Sequence, residues 1–66
     1  MDMRAEIVEM CAEALRGNGF PAASAEAISI DRALAKAAIE LLRDCRPLPV
    51  VLELIADLEA VANGKA

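Results

Sequence analysis

Residues 24–45, SAEAISIDRALAKAAIELLRDC, decide how this chain folds. Ser24 is a good N-cap and Glu26 places a negative charge in the first turn, where it complements the helix dipole. With successive residues 100° apart, Ala27, Ile30, Leu34, Ala37, Ala38, Leu41, Leu42 and Cys45 fill one side, and Ile28, Ala35 and Ile39 extend it to roughly 200°. One neighbouring helix cannot cover so wide an arc. The stretch therefore reads as a long central helix, sandwiched between a helix before it and either a helix after it or a second copy of the chain. Asp31 falls inside the apolar arc, where an unpaired carboxylate is costly. Two readings compete there. Either the helix starts late, with Asp31 or Ser29 as its true cap, or it is continuous and Asp31 meets an arginine across an interface. The continuous helix is the expectation carried forward.

Working outward, residues 2–16 form the preceding helix. Asp2 caps it, and Met3, Ile7, Met10, Cys11, Ala14 and Leu15 recur at the spacing of a buried stripe, widened by Val8. Its opposite face carries Glu6, Glu9 and Glu13 with only Arg16 near enough to answer Glu13, an acidic column that either faces solvent or docks a basic partner. Gly17-Asn18-Gly19 is a strong helix stop, and Phe20-Pro21 turns the chain back. The spacing is not that of a phosphate loop. Phe20, the one aromatic residue, is expected to plug the end of the core.

On the other side, Arg46-Pro47-Leu48-Pro49 ends the long helix, and Pro49 opens a further helix at its first position. That helix spans residues 49–62, with Val50, Val51, Leu54, Ile55, Leu58 and Val61 on its main stripe and Leu52 well off it. Asn63-Gly64 caps its end, and Lys65 complements the dipole there. The expected architecture is thus all-α, one domain of three helices (2–16, 24–45 and 49–62) with the long helix at the centre.

Composition narrows the function classes. Sixty-six residues that are 58% hydrophobic give a small core that often needs a partner chain. Such a bundle has too little interior for Ile28, Ile39, Leu48 and Leu52 together with the main stripes, and surplus apolar surface marks an interface. A homodimer follows as an expectation. Arg32, Lys36 and Arg43 align as the one basic column, blunted by Glu40. They are expected to flank the apolar contact residues and to meet either the acidic column of another copy or an acidic patch on a larger protein.

A net charge of −4 argues against general attraction to nucleic acid or anionic lipid, and no run approaches the ~20 apolar residues of a membrane span. No secretory pattern opens the sequence, because Asp2, Glu6 and Glu9 interrupt it, and a cytoplasmic protein is expected. Cys11 and Cys45 lie on buried stripes without the spacing of metal or redox motifs, so both read as buried free thiols. A bridge between them is geometrically conceivable but does not suit a reducing compartment. With no histidine or tyrosine and no base beside Ser24 or Ser29, catalysis is not expected. Glu53 and Asp57 without companion ligands do not make a metal site, and no cofactor is implied.

The resulting expectation is a non-enzymatic interaction module that self-associates and binds a larger protein to modulate or inhibit it. The heavy use of alanine suits a GC-rich bacterial or phage coding sequence. The alternative is a small helix-turn-helix-like regulator whose Arg32, Lys36 and Arg43 contact phosphates. It fits less well, because the recognition helix of such proteins is polar and follows a short tight turn.

Overall fold

The computed structural model describes residues 2–64, which form four helices. Their order is α1 (Met3–Gly17), α2 (Ala25–Ile30), α3 (Arg32–Arg43) and α4 (Pro49–Ala62). The all-helical class is as expected from the periodicity; the number of helices is not, because the continuous helix over residues 24–45 is broken at Asp31.

The break has a local cause. Asp31 is extended, at φ −97° and ψ 121°, and serves two helices at once. Its backbone N–H donates to the Ala27 carbonyl at 2.8 Å and closes α2, while its carbonyl accepts from Ala35 N–H at 2.9 Å and opens α3. Its carboxylate accepts from the N–H groups of Ala33 at 2.9 Å and Leu34 at 3.2 Å. In a continuous helix that carboxylate would lie among apolar side chains; the break turns it to the exposed surface and uses it as a cap. The 200° arc is therefore two narrower faces on helices of different direction. One residue of the arc, Ile30, is left 80% exposed.

The other boundaries follow the local signals. Asp2 accepts from Arg4 N–H and caps α1. At its end Asn18 and Phe20 N–H both donate to the Leu15 carbonyl at 3.0 Å, and the Asn18 side chain donates to the Ala14 carbonyl at 2.7 Å. Ser24 accepts from Ala27 N–H at 3.1 Å and starts α2. Pro49 starts α4, where Leu48 offers no side-chain cap and its carbonyl takes the N–H groups of Val51 and Leu52. Gly64, at φ 73°, follows the end of α4 with the Arg32 guanidinium laid against it; a β-carbon there would be strained and would collide with that group. Lys65 lies outside the described residues.

The core joins all four helices. It consists of Cys11, Ala12 and Leu15 of α1, Ala23, Ile28 of α2, Leu34, Ala35, Ala38, Ile39 and Leu42 of α3, and Val51, Leu54 and Leu58 of α4. The most extensive packing is between α3 and α4. Ala12, Ala35 and Ala38 are completely covered, and their small side chains let the helix backbones approach closely. Among the described residues no polar or charged residue is buried. The Phe20 side chain does not plug this core: it remains exposed on the turn, and Ala23 is the residue of that connection that enters.

Candidate protein-contact surface

The seven residues expected to form an interface are dispersed. Ile28 and Ile39 are 0% and 5% exposed, so the expectation that one chain cannot bury them is corrected. The break at Asp31 gives α2 its own direction, which brings Ile28 inside, and α4 covers the α3 face that carries Ile39. Leu48 and Leu52 are exposed, at 49% and 53%.

The basic residues are exposed along α3, but they share their surface with acids. Arg43 approaches Glu40 at 4.0 Å and Glu59 at 3.9 Å. Lys36, Ile39, Glu40, Arg43 and Glu59 line one shallow depression between α3 and α4. The column is therefore partly neutralised within the chain. These are exposed pairs, each worth well under ~1 kcal/mol. Neither Leu48 nor Leu52 lines that depression.

Apolar surface is concentrated elsewhere. A groove of about 380 Å³ is lined by Ile7, Met10, Cys11 and Ala14 of α1, by Leu41 and Leu42 of α3, by Cys45, Arg46 and Leu48 of the connection, and by Val51 of α4. Arg46 is the one charged residue among the described residues of its lining. The geometry follows from the prolines: Pro47 and Pro49 hold residues 46–48 out of helical conformation, so Leu48 stands at the corner where α3 ends and α4 begins. Met10 is 67% exposed on the opposite wall.

Sequence periodicity assigned Met10, Ala14 and Cys45 to buried stripes, and all three are exposed. Of the three, Met10 lies at the edge of its stripe; Cys45 lies near the centre of its own and is exposed because α3 ends before it, at Arg43. On α1 the covered centre runs through Cys11, Ala12 and Leu15, and Met10 and Ala14 lie to one side of it.

The two cysteines share this groove. Both are free; Cys11 is buried and Cys45 exposed, the latter donating to the Leu41 carbonyl at 3.6 Å. Burial pushes the Cys11 thiol above its ordinary value, and the neighbouring Cys45 adds to the rise by repulsion between thiolates.

Beside the groove runs the acidic column of α1. Glu6, Glu9 and Glu13 are exposed and take part in none of the ion pairs found among the described residues. Arg16, the expected answer to Glu13, instead donates to the Ala23 carbonyl at 2.9 Å and ties the turn to the end of α1. Arg4 is engaged by Asp57 on α4.

Ser24 caps α2, and the Ser29 hydroxyl donates to the Ala25 carbonyl at 3.1 Å. A second cavity, of about 360 Å³, contains Ser29 together with the Arg4–Asp57 pair, between α1 and α4. Among the described residues no three His, Cys, Asp or Glu side chains converge as a metal set. No described helix is long and apolar enough to cross a membrane. The chain matches no protein-family model, no curated protein and no solved structure at a significant level.

Proposed function

We propose that this chain is a small non-enzymatic interaction module of the cytoplasm that binds a larger protein and modulates it, and that the groove between α1 and the α3–α4 corner is its contact surface. The supporting observation is the groove itself: nine of its ten lining residues are apolar or thiol-bearing, and Met10 and Leu48 stand open on its two walls. Contiguous apolar surface of this kind is costly in water and is characteristic of binding sites. The nucleic-acid reading has less support, since α2 is six residues long, a single residue separates it from α3, and Arg43 is answered by Glu40 and Glu59. Self-association belongs to the proposal in reduced form. With Ile28 and Ile39 consumed by the core and Leu48 in the groove, Leu52 on α4 is the one apolar residue of the expected interface left for self-association.

Capture from extracts of the source cells tests this reading with the variant Met10→Glu/Leu48→Glu. Both positions are exposed, so the variant should melt as the wild type does and lose the wild type's bound protein. A variant that captures the same protein in the same amount removes the groove as the contact surface. Solution mass measured against concentration tests self-association, and Leu52→Glu should dissociate any dimer formed through α4.

A further inference from the structure

We infer that the groove takes a basic amphipathic α-helix of its partner protein, with the helix's apolar stripe between Met10 and Leu48 and its lysines or arginines along the acidic edge of α1; this rests on the groove being a protein contact. Shape is the first argument. Small-molecule sites bury some 70–90% of their ligand and orient it with a few convergent polar groups. This groove is open at both walls, and the one charged residue of its described lining is Arg46. An open apolar trough suits the i, i+3, i+4, i+7 stripe of a helix, which covers such a surface without being enclosed. Met10 suits that use, being unbranched and able to repack against differing side chains.

Charge is the second argument and selects the partner. With 3.6 residues per turn, Glu6 and Glu13 lie only about 40–60° around α1 from Met10, and Glu9 about 100°. Glu6 and Glu13 thus form the rim of the groove. They are about 10.5 Å apart along the axis, two helical turns, which basic residues spaced seven apart on a docked helix would match. Among the described residues no base forms an ion pair with them: Arg4 is paired with Asp57, and Arg16 donates to the Ala23 carbonyl. Beside the three acids of α1, the described lining of the groove carries one base, Arg46. A second copy fits this pattern poorly. Packing α1 on α1 would bring acid against acid, and the basic column of a copy runs along the α3 face where Arg43 is engaged by Glu40 and Glu59.

The test is a titration of isotope-labelled full chain, followed by methyl and amide shifts, with three synthetic 18-residue peptides. One is a Leu/Lys amphipathic helix, the second carries Glu at every Lys, and the third is the Leu/Lys composition scrambled to destroy the stripe. The Leu/Lys helix should shift Ile7, Leu41 and Val51, bind roughly tenfold more tightly than the Leu/Glu helix, and weaken as salt is raised. Glu6→Gln/Glu9→Gln/Glu13→Gln should bring the two helices near parity, and Met10→Glu/Leu48→Glu should remove the groove shifts while leaving the melting curve in place.

Equal binding of both amphipathic helices in the groove would overturn the basic partner and leave the contact surface standing. Equal binding of the scrambled peptide would overturn the helix. Groove shifts that grow with protein concentration alone would identify a second copy as the occupant and overturn the proposal. Silence of the groove toward every peptide would remove both this inference and the contact surface beneath it.

Discussion

Replacing Asp31 with alanine removes the acceptor of two backbone N–H groups, those of Ala33 at 2.9 Å and Leu34 at 3.2 Å. Loss of an N-cap costs about 0.5–2 kcal/mol, and loss of a negative charge at the N-terminus of α3 adds about 0.3–1 kcal/mol. Asp31→Ala should therefore destabilise by about 1.5 kcal/mol, a large fraction of the ~3–5 kcal/mol that a core of this size supplies. At ~4–8 °C per kcal/mol for a domain of this length, the melting temperature should fall by about 6–12 °C. Asp31→Asn retains a good cap and loses only the charge, so its cost should stay within about 1 kcal/mol.

The assay is thermal and urea unfolding followed by far-ultraviolet circular dichroism. The comparison separates the break from a continuous helix over residues 24–45 with Asp31 unpaired on its apolar face, which makes the opposite demand. There Asp31→Ala would remove a carboxylate from an apolar face and insert the best helix former, raising both stability and helicity. A variant that melts at or above the wild-type temperature with a stronger helical signal would refute the break and the burial of Ile28 that follows from it.

Two further outcomes follow from burial. Ile39→Glu should leave the chain unfolded at any concentration, since Ile39 is 5% exposed within the core and an unpaired carboxylate there costs several kcal/mol, whereas Leu52→Glu should fold with a melting curve close to that of the wild type. Iodoacetamide at neutral pH should modify Cys45 and spare Cys11, as mass spectrometry of the folded and urea-unfolded chain can establish. Cys11 also sets an alkaline limit. Its unfolded thiol ionises at the ordinary value of 9.0 while the folded one holds its proton to higher pH. The unfolded state therefore releases the proton first, and stability that is full below pH 9.0 declines as pH rises beyond it. Cys11→Ala should have a shallower alkaline slope in the same urea titration.

The two ends of α1 and the starts of α2 and α4 were legible because capping is a local transaction. Asp2, Ser24 and Asn18 satisfy the ends of helices using groups a few residues away, and Pro49 presets its own φ; none of this requires knowing where the other helices lie. The acidic column of α1 was legible for the same reason, since residues three and four apart share a helix face whatever the helix packs against. The groove was not. Periodicity locates the centre of an apolar stripe but not its edges, and whether an edge residue is covered depends on the neighbour across from it.

Met10 stands at such an edge and is exposed, Cys45 lies beyond the end of α3, while Ile28 and Ile39, which looked surplus on a helix counted as continuous, meet the rest of the core. Asp31 shows the division most plainly. Its sequence context allowed two locally sound solutions, a carboxylate paired across a buried face or a carboxylate capping a new helix. Bonds and spacings within a few turns were enough to give an all-helical chain, the starts of helices after Asp2 and Ser24 and at Pro49, and the acidic column of α1. Only the tertiary structure decided the break at Asp31, the burial of Ile28 and the opening of the groove, because the free energy of a side chain at the edge of a helix is set by atoms distant in sequence that either cover it or leave it in water.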